Sequence, residues 1–458
     1  MRYIPALDGL RAVAILAVLF FHALPGTLKG GFTGVDVFFV LSGYLISSVI
    51  LHDMRIGEFT IRGFYIRRIQ RLFPNTICMI LVTVALSYVV LLPWTAVRVA
   101  QHGLWALCNL SNVYIWLTAG GYWGDSANSL PLLHTWSLAV EEQFYLVFPI
   151  VLWILGRRSR TLILTVTSCL AVASFFLNVN GIRTNSAATF YLLPTRAWEP
   201  LLGAVVAICQ MPTDVNQPQT VVKNAFALEL AGWIGLATIV SGFFVITEGT
   251  DFPGWIALVP ALGAVAVIVS IVDGNTRMAR LLSKPFMVAI GKLSYSLYLW
   301  HWPLIVIGRK KAELTGDSEQ LGTLIGAALG IVLSVIAYWC IEQPLRLHGR
   351  TQNWRPRLLI TCVSFCATAG VLMVLLRSTD SRSVFDRPEY HAARYNVIGS
   401  ERLSQAPLPS KFSDVILTPA DPRPVDVWKT GGVIHDWGNS PPRLVVFGSS
   451  HACMFGTL

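Results

Sequence analysis

Residues 8–25 read DGLRAVAILAVLFFHALP, an apolar run long enough to cross a bilayer that carries Arg11 near one end and His22 near the other. About 20 apolar residues span a hydrocarbon core of about 30 Å. Windows of that kind recur down the chain, near 8–25, 34–51, 74–93, 139–156, 161–179, 196–210, 228–247, 254–272, 287–307, 321–341 and 358–376. Of the 458 residues, 54% are hydrophobic and only 13% charged, against about 25% charged in a soluble domain. A water-soluble fold could not cover itself with so few charges, whereas lipid removes that need. The predicted fold class is an all-α polytopic membrane protein, with about ten core transmembrane helices plus an eleventh. Residues 97–118 are amphipathic, with Trp105, Tyr114 and Trp116 among Gln101, His102 and Asn109, and are predicted to lie at the interface or re-enter.

Lys and Arg set the orientation. With the N-terminus cytoplasmic, the inner segments hold 17 of them and the outer ones 7, although the loop 308–320 runs against the trend. Eleven spans then put residues 377–458 outside the cytoplasm. The net charge of +10 is mostly this inner-face bias, so the bilayer is the expected partner and nucleic acid is not. The first span is read as a retained helix and not a cleaved leader, because Asp8, Arg11 and His22 interrupt it and no small-residue cleavage site stands out. Seven of the eight cysteines lie in or near spans or the interfacial stretch without paired spacing. They read as packing residues, and no metal centre is expected.

Ionisable groups at membrane depth are costly and mark candidate sites. Eleven residues separate Arg11 from His22, about three helical turns, so the two share a face roughly 16 Å apart. A snorkelling arginine and a packed histidine would look the same, but an imidazole is also the usual proton acceptor near neutral pH. Asp36 opens the second span at the level of His22 and could orient the imidazole, or simply sit at a helix N-terminus. The first inner loop carries Arg67, Arg68 and Arg71, a cationic edge suited to phosphate oxygens and equally to an inner-face loop. His134 precedes the span bearing Glu141, Glu142 and Tyr145, two of these acids being placed at its outer mouth. His301 is a second intramembrane histidine, and Glu342 with Arg346 forms an i,i+4 pair at an inner helix end.

In order along residues 1–350, several motifs together resemble the acyltransferase family 3 membrane proteins. They are Leu7-Asp8-Gly9-Leu10-Arg11 running to His22, the run from Gly34-Val35-Asp36 to Ser42-Gly43, and Arg67-Arg68-Ile69-Gln70-Arg71. The run from His134-Thr135-Trp136 through Glu141-Glu142-Gln143 to Tyr145, then Trp300-His301-Trp302-Pro303 and Glu342-Gln343-Pro344, complete the set. The resemblance implies a bacterial inner-membrane O-acyltransferase. It would move an acyl group, usually acetyl, from cytoplasmic acyl-CoA (acetyl-CoA) to a hydroxyl of an envelope glycan or glycolipid. It also implies that Arg11 and His22 are the essential pair, that Arg68 and Arg71, with Arg67 beside them, bind acyl-CoA, and that Glu142 and Tyr145 form an acidic motif. Glu141, Tyr145, His134 and His301 would serve the acceptor or support the site. On that footing His22, oriented by Asp36 or by a Glu141 or Glu142 carboxylate, is the expected general base, and Arg11 positions the donor or stabilises the thioester oxygen. Intramembrane His, Arg and Glu also describe proton-coupled transporters and flippases, which stay the rival class; against it, no inverted pair of broken helices is visible in the sequence.

Four domains are expected: a membrane domain over 1–350, an eleventh helix over 351–377, an extracytoplasmic linker over 378–442, and a short block at 443–458. In that block Arg443–Phe447 reads as a strand, followed by Gly448-Ser449-Ser450-His451. This resembles the first block of an α/β SGNH domain with Ser450 as nucleophile, where Ser449 departs from the usual Asp. The Asn and the Asp/His pair that would activate Ser450 do not follow before Leu458, so the block is read as the start of a truncated domain without a working site.

Overall fold

The computed structural model describes residues 3–118, 127–156, 158–211, 224–247, 252–272, 275–348, 354–378, 444–449 and 452–457. The chain divides into two compact units, residues 1–376 and 377–458. The first is helical throughout its described regular structure. Its elements are α1 Pro5–Ala23, α2 Gly34–Arg55, α3 Ile61–Val90, α4 Pro93–Leu107, α5 Ser111–Thr118, α6 Thr135–Leu155, α7 Arg160–Thr184, α8 Ser186–Tyr191, α9 Leu193–Arg196 and α10 Trp198–Cys209. They continue as α11 Ala225–Val245, α12 Leu258–Ile271, α13 Arg277–Leu282, α14 Pro285–Thr315, α15 Glu319–Ala337, α16 Gln343–His348 and α17 Trp354–Ser378. Eight of them, α1, α2, α3, α6, α7, α11, α15 and α17, are long and apolar enough to cross a membrane. Large apolar side chains such as Phe176, Ile234, Leu329 and Val363 stand exposed on their outer faces, as a lipid-facing surface requires.

The other three expected spans depart from a plain crossing in ways that matter for the site. Helix α14 has 31 residues, but the polar and aromatic run Ser294–Pro303 keeps it out of the apolar class. Helices α10 and α12 have only 12 and 14 residues, about 18 and 21 Å at 1.5 Å per residue. The expected spans 196–210 and 254–272 are therefore short helices, one set off at Ala197 from the four-residue α9 and the other preceded by the non-helical stretch Phe252–Ala257. Irregular backbone at membrane depth survives only where it is buried in protein or lines a cavity, and these two breaks do line one, as described below. Two further findings concern local structure. The arginine-bearing segment taken for a loop is helical, since α3 starts at Ile61, with Thr60 Oγ1 capping the Gly63 N–H at 3.2 Å, and runs on through Pro74. The stretch 97–118 is two helices, α4 and α5, joined at Asn109, whose φ of 55° ends the first.

Packing of α2 on α10 fixes the centre of the bundle. A Cβ on Gly43 would lie 1.8 Å from the Pro200 carbonyl oxygen, and one on Gly203 would lie 1.9 Å from that of Val40. Only glycine allows this approach, and it sets the start of α2, with Asp36, beside the α9–α10 break. Around it, Leu10, Val40, Tyr44, Trp198, Ile239 and Ile268 form the main core cluster.

In the second unit, β1 Leu444–Ser449 and β2 Ala452–Thr457 pair antiparallel, Leu444 opposite Thr457 and Ser449 opposite Ala452. The strand expected from Arg443 is thus present from Leu444. Ser450 and His451 lie outside the described residues, as does the expected linker.

Candidate active site

Among the described residues, two of the cavities in the bundle meet at Tyr298, which lines both. The first, of about 100 Å³, is lined by Arg11, Arg68, Arg71, Glu141, Glu142 and Lys292, among others. The second, of about 290 Å³, is lined by His22, Asp36, His134 and Arg196 and by several aromatic rings. Val35 and Tyr298 border both. Tyr298 Oη lies 2.5 Å from Ser137 Oγ and donates to the His134 carbonyl at 3.2 Å, so its ring is held across the boundary. A vestibule of about 320 Å³, with Lys29 and Arg309, adjoins the second cavity through His22 and Trp302.

His22, at the end of α1, is set among Phe21, Trp302 and His301, whose rings lie 4.9, 4.4 and 5.2 Å away. His22 Nδ1 is 3.1 Å from His301 Nε2. The other nitrogen of His301, Nδ1, meets only carbonyl oxygens, those of Leu297 at 3.0 Å and Tyr298 at 2.8 Å. It must therefore carry a proton. In neutral rings His301 Nε2 is then an acceptor, His22 Nδ1–H donates to it, and the His22 Nε2 lone pair is left over. The expected orienting carboxylates are elsewhere. Asp36 Oδ1 accepts from Arg196 Nη2 at 2.9 Å, with both side chains 1% exposed, and Glu199 lies 3.3 Å from Arg196 Nε.

The acids of α6 face the other cavity. Glu142 accepts a forked pair from Arg68, 2.8 Å from Nη2 and 3.2 Å from Nε. The Arg68 guanidinium also lies 3.3 Å from the centre of the Tyr145 ring. Tyr145 Oη donates to Glu141, which also accepts from Ser42 at 2.5 Å. Arg67 lies outside this group, half exposed and 3.5 Å from Asp53. Arg71, Arg11 and Lys292 line the cavity, with Arg11 3.4 Å from Asp8. Glu342, in the π-helical turn Tyr338–Glu342, accepts from Ser296 at 2.8 Å. Ser296 in turn accepts from Asn75, whose carbonyl oxygen takes the Trp300 indole N–H. Among the described residues no group of His, Cys, Asp and Glu is placed to hold a metal ion, and seven cysteines are free.

The acyltransferase domain family matches residues 4–342, a stretch that holds every side chain of both cavities. The chain belongs to acyltransferase family 3. It is 34% identical over 375 residues to a Staphylococcus aureus (strain COL) protein provisionally named an O-acetyltransferase, covering 78% of this chain and 59% of that one. It is 31% identical over 355 residues to the O-acetyltransferase OatA of Staphylococcus aureus (strain NCTC 8325 / PS 47), covering 76% and 58%. The chain thus spans about three fifths of the length of these relatives. No solved structure matches it.

Within this family member, Arg196 and Lys292 line the cavities and Glu199 pairs with Arg196, although sequence reasoning passed all three over as site residues. In the sequence Arg196 reads only as one of the seven charges of the outer segments. A signal was present in Pro194-Thr195-Arg196-Ala197-Trp198-Glu199-Pro200, where an i,i+3 ion pair sits between two prolines in an apolar surround. Lys292 carried no such signal.

Proposed function

We propose that the bundle is a membrane O-acyltransferase that moves an acyl group, acetyl by the names of its relatives, from acyl-CoA to a hydroxyl of an extracytoplasmic glycan or glycolipid. The observation that carries this reading is the His22–His301 pair. A neutral imidazole whose Nδ1–H is fixed by an acceptor keeps its Nε2 lone pair aimed at one place, which is what a general base needs. In this reading His301 is the positioning residue, in the role expected of Asp36, Glu141 or Glu142.

His22 Nε2 takes the hydroxyl proton as the acceptor oxygen attacks the thioester carbon. The carbon–sulfur bond then breaks, and the proton passes to the departing sulfur, giving the O-acyl ester and free coenzyme A. Arg11, Arg71 and Lys292 form the cationic face suited to the phosphates of coenzyme A on the cytoplasmic side. Arg68, engaged by Glu142, holds the cavity wall together with Tyr145 and Glu141. The pantetheine arm reaches from that cavity past Tyr298 towards His22.

Labelled acetyl-CoA supplied to inside-out vesicles tests the reading. Transfer of label to glycan is expected, falling by about 10²- to 10⁴-fold in His22→Ala, the usual contribution of a general base. Full transfer by His22→Ala, or movement of an intact solute in place of acylation, would overturn it.

A further inference from the structure

We propose that Arg196 is the acceptor anchor of the His22 cavity, and that the group it holds is an uncharged sugar ring bound through a hydroxyl or amide oxygen. The inference rests on the reading of His22 as the base. Three nitrogens of the guanidinium face different surroundings. Nη2 donates to Asp36, Nε faces Glu199, and Nη1 has no partner although it is buried. Leaving a buried N–H without an acceptor is unfavourable, and this one belongs to a side chain lining the same cavity as His22. The arginine is also held still. Ser174 Oγ donates to the Pro194 carbonyl at 2.7 Å and accepts the Trp198 N–H at 3.0 Å, bracing both sides of the α9–α10 break.

Charge and shape select the ligand. Asp36 already neutralises the guanidinium, and Glu199 adds a second carboxyl beside it. An anionic group entering at Nη1 would meet two acids, whereas a neutral oxygen meets only a charge-assisted donor. Trp136, Phe190 and Phe252 lie with ring centres 5.6–5.8 Å from the guanidinium and line the same cavity. Their flat apolar faces suit the C–H faces of a pyranose. Arg196 would thus bind an oxygen near the hydroxyl that His22 deprotonates, fixing which sugar position is acylated.

The test uses membranes containing the full chain, labelled acetyl-CoA, and identification of the labelled sugars. Label on uncharged residues is expected. In Arg196→Lys, which keeps a cation beside Asp36, glycan labelling should fall about 10- to 100-fold more than acetyl-CoA hydrolysis, the effect of losing one hydrogen bond from a charged donor. Excess acceptor glycan should restore it. Label on acidic or phosphorylated sugars overturns the proposal, as does an equal fall of transfer and hydrolysis, which would assign Arg196 to the thioester oxygen. The double variant Asp36→Asn with Arg196→Gln removes both charges and guards against misfolding; if it melts like the parent and keeps the parental ratio of transfer to hydrolysis, the proposal fails. An absence of glycan label in the unaltered protein contradicts the acyltransferase reading itself.

Discussion

The two cavities on either side of Tyr298 solve different problems with similar residues. Around Arg68 the charges are several and already matched: Glu142 takes the Arg68 fork, Asp8 sits by Arg11, and the remaining cations Arg71 and Lys292 line the wall. Around His22 the chemistry is set by direction. Two imidazoles are locked in one tautomeric order by backbone carbonyls, and one guanidinium is balanced by its own carboxyls. A charge-rich wall suits a polyanion, which is recognised by summed attraction. A directed, near-neutral wall suits a proton transfer and a polyhydroxyl ligand, which are governed by geometry. The difference implies that variants on the first side act on stability and donor affinity, and variants on the second act on turnover.

That contrast can be broken at three points. The largest effect is expected for Arg68→Met, which leaves Glu142 as an unmatched carboxylate and should cost about 3–5 kcal/mol of stability, read as a lowered thermal midpoint in detergent. Adding Glu142→Gln should recover most of the loss. An unchanged midpoint for Arg68→Met would mean that the arginine fork is available for phosphate, and the contrast would collapse. Next, His301→Ala frees the His22 ring and should lower kcat on the order of 10- to 100-fold, less than loss of the base itself, with the KM for acetyl-CoA little altered. A change confined to that KM would move His301 to the donor side. The smallest effect is expected for the exposed Lys292. Its replacement by Ala should raise the KM for acetyl-CoA by about 2- to 5-fold, in keeping with the modest worth of a solvated charge, and the difference should shrink in high salt. A KM independent of Lys292 at low salt would remove it from the donor face.

Much of the fold was legible because lipid leaves a strong compositional trace: each of the eleven apolar windows coincides with a helix. The windows could not reveal that α10 and α12 stop short, since hydropathy measures how well a segment tolerates lipid and not whether its backbone is regular. The residues of the site were legible as types. Arg11, His22, Arg71, Glu141, Glu142 and Tyr145 all line the cavities or bond to a residue that does. Their partners were not legible, because pairing depends on which helices touch. Asp36 precedes His301 by hundreds of positions and looked the nearer orienting group for His22. Instead the close approach of Gly43 to Pro200 delivered Asp36 to Arg196, and α14 packed against α1 to deliver His301. Arg67 and Arg68 are neighbours in sequence yet face Asp53 and Glu142, about 100° apart as successive helix positions must be.

Tyr298, tethered to Ser137, also bears on how a cell keeps its energy supply. A bundle hollowed from two directions is a hazard to an energised bilayer, since each elementary charge leaking across 100 mV dissipates about 2.3 kcal/mol. Here Tyr298 and Val35 both border the two hollows, so a voltage falling between them would be concentrated over a layer of few side chains. The local field there is correspondingly steep. An uncharged acyl thioester feels none of it, whereas a proton or metal ion feels all of it. The tethered tyrosine and its valine neighbour thereby stand where such a bundle would need its electrical insulation.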